Sequence, residues 1–293
     1  MQERYHHCFS CSLVAYLWYE IIFEMNGLKK SLLFSFLFTS GLAFTGCQDD
    51  DESYMFPVSM EIELRELVVD AERQPGVFLS TLRDYECLNY EISYDYTHHG
   101  DQRRLVIEGI SKPTMCITSI GPATALVPLG AMQTGEHIVE FAIGNDNIST
   151  SFDLDQDLLN ISVLDGVSDY LKFAETQMHR LPDDYVWGSI LPKTGGEQVD
   201  FSAFFKDLWS QGAEQQEPQP GNYGFFKVLE DETVFFDGSH EFSPKNPFFC
   251  IFPYEFELIQ QISIQHADHF IIVLYNTAGA SFRNQDAFMK NPG

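Results

Sequence analysis

LNYEISYDYTHHGDQRRLVIEGI, residues 88–110, decides how the first half of the chain folds. Leu88, Tyr90, Ile92, Tyr94 and Tyr96 alternate with polar residues. His98-His99-Gly100-Asp101 interrupts the alternation, and Leu105, Ile107 and Ile110 resume it. Successive side chains of an extended strand point to opposite faces, so a period of two broken by Gly-Asp predicts a half-buried hairpin. The pattern continues on both sides, from about residue 59 to 165. Lys112-Pro113 and Gly121-Pro122 mark turns around the runs 115–120 and 124–129. Residues 136–143 stop at Gly144-Asn145-Asp146-Asn147, and the runs 148–154 and 161–164 follow. Short strands at this spacing predict an antiparallel β-sandwich over 59–165, Ig-like in architecture only.

Beyond Asp165-Gly166 the period changes. Val167, Tyr170, Leu171, Phe173 and Ala174 recur at helical spacing and predict a connecting helix that ends near Leu181-Pro182. A strand at 185–191, a helix at 201–209 with Gly212 at its end, and a strand at 223–229 come next. A second set follows: strand 248–256, helix 257–266 and strand 270–275, with the aromatic segment 233–236 in the central hairpin. This order, β-α-β-β-α-β, predicts a ferredoxin-like domain with both helices on one face of a four-stranded antiparallel sheet. The expected fold class is therefore α+β, in two domains, 59–165 and 166–293.

The start of the chain carries a different kind of information. Reading from Met25, Lys29-Lys30 precede an apolar run, 31–44, which is followed by Thr45-Gly46-Cys47. A basic segment, a short greasy segment and small residues form the layout of an export signal. The run is too short for a spanning helix, which needs ~20 apolar residues. Phe44-Thr45-Gly46-Cys47 resembles the lipobox of bacterial lipoproteins, with Phe44 where Leu is usual. Gln48-Asp49-Asp50-Asp51-Glu52 resembles the acidic export signal of surface lipoproteins in Bacteroidota. The resemblance covers about the first fifth of the chain. It implies a signal peptide at 25–46, a lipid on Cys47, an acidic tether at 47–58 and a protein anchored in the outer membrane, exposed at the cell surface. Residues 1–24 fit poorly ahead of such a signal and are expected to be an upstream extension from a misassigned start. Cys8 and Cys11, spaced C-x-x-C, would then be missing from the mature protein, and no second pair accompanies them as a zinc site would need.

Charge narrows the partners. The chain has 17 Lys+Arg and 43 Asp+Glu, a net charge of −26. Removing residues 1–46 takes away Arg4, Lys29 and Lys30 with Glu3, Glu20 and Glu24, so the imbalance persists in the mature form. Nucleic-acid binding relies on Lys and Arg displacing counterions, so no nucleic-acid partner is expected. Of the mature cysteines, Cys87 and Cys116 sit in neighbouring strand-like runs and are expected to form a disulfide in an oxidising compartment. Cys250, within the apolar 248–252, reads as a buried, inert thiol.

Candidate chemistry is sparse. His266 and His269 with Asp268 lie near a helix end, but metal binding needs three or four converging ligands, and a polar junction explains them better. His98, His99 and Asp101 form a hairpin tip. Asp153, Asp155 and Asp157 have the spacing of a calcium loop's first half, yet Leu158 and Leu164 occupy the positions where Gly and Glu are required. There is no G-x-S-x-G, S-x-x-K or H-E-x-x-H, and Ser239-His240-Glu241 are consecutive, which a spatially convergent triad rarely is. Gly195-Gly196 and Gly221 to Gly224 lack the strand-loop-helix context of a phosphate cradle. Trp187 and Trp209 read as core residues. No catalytic residue, metal or cofactor is thus assigned. The expected function is a non-enzymatic binding or interaction module of a membrane-anchored lipoprotein, whose partner is a surface protein, peptide or glycan. The alternative is a hydrolase of extracellular polymer that works through Asp or Glu carboxylates.

Overall fold

A computed structural model describes residues 56–193, 200–236 and 246–284. All lie within one unit, Met55–Gly293. Of these residues, 54% are in strands and 9% in two helices, so the protein is mostly β rather than α+β.

Two long strands, β1 (Met60–Val69) and β2 (Glu72–Tyr85), form the first hairpin. β3 (Glu91–His99) and β4 (Gln102–Ser111) form the second, with the expected turn at 98–101, His99 opposite Gln102 and a bulge at Ser93-Tyr94. β5 (Gly121–Pro128), β6 (Gly135–Ile143), β7 (Asp146–Leu154), β8 (Leu158–Asp165), β9 (Leu171–Phe173) and β10 (Gln177–His179) complete a ten-stranded sheet. Its order is β10-β8-β7-β6-β4-β3-β5-β2-β1-β9. The sheet curls until its halves face one another: Phe141 of β6 meets Phe173 of β9 edge-on, with ring centroids 5.5 Å apart, although many strands separate them in the ladder. The inner face holds Ile62, Leu64, Leu79, Leu105, Ile107, Val139 and Phe141, all essentially inaccessible to solvent.

The expected antiparallel, Ig-like sandwich is thus corrected to a curled mixed sheet. β4 pairs with β6, β1 with β9, and β3 with β5 in parallel. Alternation reports which face of a strand is buried. It carries nothing about a neighbour's direction, which is set by where the chain crosses over. The coarser expectation, mostly β structure with a Cys87–Cys116 disulfide, stands.

The expected connecting helix at 167–174 is also corrected. Gly166 takes φ +86, and the Ser168 hydroxyl accepts hydrogen bonds from Tyr170 N (3.0 Å) and Leu171 N (3.2 Å). A serine oxygen satisfying nearby N–H groups can start a helix or replace one. Here the chain goes on to pair with β1: Met60 N donates to Tyr170 O and Ala174 N to Ile62 O. A single helical turn is marginal alone, and a free strand edge offers more hydrogen bonds. β9 and β10 thereby extend the sheet past Asp165.

In the remainder, β11 (Tyr185–Pro192), α1 (Ser202–Ser210), β16 (Pro247–Ile251), α2 (Phe256–Gln265) and β17 (Phe270–Asn276) lie where periodicity put them. The ferredoxin-like domain does not form. Residues 223–229 do not enter the same sheet as β11. They supply β14 (Phe226–Val228), which joins β13 (Gly221–Asn222) and β15 (Val234–Phe236) in a separate three-stranded sheet. The five-stranded sheet instead takes β12 (Glu214–Gln215) and β18 (Ser281–Arg283) at its edges, in the order β12-β16-β11-β17-β18. Its two faces have different covers. Val186, Ile190, Phe248, Cys250 and Ile272 pack under α1 and α2, whereas Tyr185, Trp187 and Phe249 pack against Tyr223, Phe226 and Val234 of the small sheet. β11 is buried on both faces, and for that reason its sequence is apolar without alternation.

The small sheet is also bound to the large one. Asn222 Nδ2 donates to Leu64 O at 3.0 Å and to Glu175 Oε2 at 2.8 Å. Gly224, at φ +75, leaves no room for a Cβ, which would stand 2.6 Å from Glu66 N. Beside it lies a buried charge cluster. Arg180 donates to both oxygens of Glu66, at 3.1 and 3.3 Å, and Arg73 Nε stands 3.4 Å from Oε1. The Glu66 side chain is fully buried.

Candidate functional site

A cleft of about 760 Å³ opens where α1, the end of β12, the β14–β15 turn and the start of β16 converge. Its aromatic wall comes from α1. Phe205 and Trp209, one helical turn apart, stack with centroids 5.6 Å apart and planes 13° off parallel, and Phe205 meets Phe248 of β16 edge-on. Residues four apart share a helix face, and since Phe204 and Leu208 take the core-facing side, Phe205 and Trp209 are left half-buried at the rim. Asp200 starts the helix: its carboxylate accepts from Ser202 N at 2.8 Å, and this hydrogen bonding holds it below the usual carboxylate range.

The polar wall is the loop Gln215-Gln216-Glu217-Pro218-Gln219-Pro220. It is tied at both ends, by Gln216 N donating to Phe249 O (2.9 Å) and by Tyr223 Oη donating to Gln219 O (3.0 Å). Burial raises the Tyr223 phenol above its ordinary pKa. Glu230 and Glu232 come from the β14–β15 turn, in which Glu232 has φ +66 and Asp231 accepts from Thr233 N at 3.0 Å. Hydrogen bonds from Thr233 lower the Asp231 pKa. Three carboxylates and three primary amides therefore line the cleft with a flat aromatic pair, and among the described residues no Lys or Arg lines it. A second hollow of about 330 Å³ adjoins it, sharing Pro220, Val228 and Glu230, and contains the Lys227–Glu175 ion pair.

The residues singled out from sequence fare differently. Cys87 and Cys116 are joined in a disulfide. Cys250 is a free, fully buried thiol, and burial pushes its pKa up to about 12. Cys47, the rest of the signal motif, Gly195-Gly196 and Ser239-His240-Glu241 lie outside the described residues. His266 Nε2 pairs with Asp207 Oδ2 at 2.9 Å, linking α2 to α1. His98 Nε2 lies 2.6 Å from Gly100 O at the β3–β4 tip. Asp155 accepts from the N–H groups of Asp157 and Leu158, closing the β7–β8 turn. Among the described residues no three His, Cys, Asp or Glu side chains converge as metal ligands would. Trp187 is core, tilted against Phe225 and Phe226 and stacked on Tyr275. Trp209 packs, partly buried, against the core under α1 as expected, and also lines the cleft.

Phe205, Glu217, Glu230 and Glu232 were not singled out in the sequence. The usable signal was an aromatic pair at i, i+4 on a helix whose core face was already occupied. The carboxylates gave none, because what joins them is folding of the small sheet against β16. Among the described residues no helix is long and apolar enough to cross a membrane. No family model matches the chain, nor does any curated protein or solved structure.

Proposed function

We propose that this protein is a lipid-anchored lipoprotein of the outer membrane surface. Its folded part binds a glycan or peptide segment free of negative charge in the cleft beside α1, without chemistry. One observation carries the reading: a cleft of ligand size, with a stacked aromatic wall, amides and carboxylates, and no basic lining residue among those described. Trp and Phe faces hold apolar faces of sugars or peptide side chains. Gln215, Gln216 and Gln219 offer donors and acceptors to hydroxyls and amides, and Glu217, Glu230 and Glu232 repel anions. The anchor rests on the lipobox-like Phe44-Thr45-Gly46-Cys47 and its acidic successor.

The test is an array of neutral, cationic and anionic glycans and peptides probed with the purified protein and with Trp209→Ala. Binding confined to ligands without negative charge, and lost in Trp209→Ala at unchanged thermal stability, is the expected result. Binding that ignores Trp209 sinks the assignment to this cleft. The three carboxylates also suit a polymer hydrolase. Release of cleaved product, abolished by Gln at Glu217, Glu230 or Glu232, would replace binding with hydrolysis.

A further inference from the structure

Thirteen large apolar side chains are exposed among the described residues, and eight of them lie toward the end of the curled sheet where β1 starts and β2 and β8 finish. Leu82 lies in the β2 bulge, where its N–H donates to Ser59 O just ahead of β1. Leu88 follows β2, and its N–H donates to Ile117 O. Met115, Ile117 and Ile120 belong to the β4–β5 loop, which the Cys87–Cys116 disulfide holds against Leu88. Asn89 secures the same loop from both sides, donating to Met115 O at 2.7 Å and accepting from Ile117 N at 3.0 Å. Val163, Leu164 and Val167 complete the group where β8 ends, since Asp165 pairs with Ser149 near the start of β7. Single exposed apolar residues are ordinary, but a concentration at one end marks a contact surface.

The chain enters the fold at this same end. Pro57 abuts Gly144 at the β6–β7 turn, and Met60 N donates to Tyr170 O. From Cys47 to Pro57 the backbone reaches at most ~35 Å even when fully extended. A lipid on Cys47 therefore places this end of the fold, where the chain enters, nearest the anchor.

We infer that the apolar end built from Leu82, Leu88, the 115–120 loop and 163–167 rests in the lipid interface of the anchoring membrane, orienting the protein on it. The partner is an electrically neutral lipid surface. Strand pairing puts Asp84, Asp146 and Asp165 at this end, with Glu86 paired to Lys112, an acidic excess that repels anionic headgroups. Interfacial seating of this kind buries side chains ~5–10 Å into the headgroup and acyl boundary. It also turns α1 and its cleft into a part of the molecule held at a set attitude to the surface. The inference rests on the anchored reading only for the position of the tether.

The test supplies the tether chemically, so that it does not depend on acylation in the cell. Residues 55–293 form a unit of their own, and Cys250 is buried and Cys87–Cys116 oxidised. The thiol of Cys47 in a chain beginning there can thus be coupled to a maleimide-headgroup lipid in phosphatidylcholine vesicles. Ile117→Trp should then shift its emission to shorter wavelength and be quenched by lipid brominated on its acyl chains. Val69→Trp, at the opposite end of β1, should show neither effect. Met115→Trp is the second reporter if Ile117→Trp folds poorly. Emission from both loop reporters that stays water-like overturns the inference. So does concentration-dependent self-association abolished by Ile117→Glu, which would make a second copy the occupant. Mass spectrometry of the native amino terminus judges the anchor separately, since loop quenching in the coupled protein is independent of that result.

Discussion

Replacing Glu66 by Ala removes the one carboxylate between Arg73 and Arg180, a test of whether this buried cluster clamps the curled sheet shut. At 3.1 and 3.4 Å, with an effective dielectric near 20, each pairing is worth about 5 kcal/mol before desolvation is subtracted. Most of that is lost in taking the charges out of water. What stays measurable is the penalty of leaving two guanidinium groups, only 14% and 19% exposed, without their partner. Such a break costs about 3–5 kcal/mol. Arg73 keeps Asp183 and Leu181 O, and Arg180 keeps Asp155 O, so the lower end applies, about 3 kcal/mol. For a unit of this size that lowers Tm by roughly 6–12 °C. Glu66→Gln, which retains shape and hydrogen-bonding oxygen but no charge, should lose about half as much. The assay is urea and thermal unfolding of wild type, both variants and Glu66→Ala combined with Arg180→Met. The two changes in the double variant should be strongly non-additive. A loss below about 1 kcal/mol for Glu66→Ala, or additive behaviour, would refute the clamp.

Two further outcomes follow from the cysteines. Cys87→Ser with Cys116→Ser opens a loop spanning a sequence separation of 29, and loop-closure entropy sets the loss at about 3.5 kcal/mol. Urea unfolding should show it, reduced wild type should match the variant, and equal stability of all three forms would count against a staple. Cys250 should resist thiol reagents in native protein at pH 8 and react on unfolding. The folded thiol holds its proton up to about 12, against an ordinary value of 9.0. Its contribution to stability is therefore fully present below pH 9 and is lost as the pH rises toward 12. Cys250→Ala should flatten that decline, and rapid labelling of native protein would show the site to be accessible.

Several local features could be read from residue order alone. The alternation over 88–110 gave the β3–β4 hairpin and its turn, because half-buried strands must present one face to the core, but not the bulge at Ser93-Tyr94 that leaves Tyr94 exposed. The 3.6-residue spacing of 201–209 and 257–266 gave both helices, since each has an apolar stripe over a sheet. Nearness in sequence was enough to pair Cys87 with Cys116, although the strand expected at 115–120 is instead the β4–β5 loop and Cys87 lies past the end of β2. Other features were silent. Asp70 and Ala71 take positive φ at the β1–β2 turn, a geometry normally signalled by Asn-Gly. The charged run Glu63-Leu-Arg-Glu66 reads as solvent-facing, yet it is buried because Arg65 answers Glu63 and the distant Arg180 answers Glu66.

Residue order by itself therefore located most of the strands and both helices and the apolar face of each helix, because these depend on neighbours a few positions away. Tertiary structure alone decided the rest. It set strand direction, sent residues 223–229 to a separate sheet, turned 171–173 into an edge strand and brought Trp209 to Glu230 across a cleft. Each of those outcomes depends on which distant backbone or charge is available as a partner, and periodicity carries no record of that.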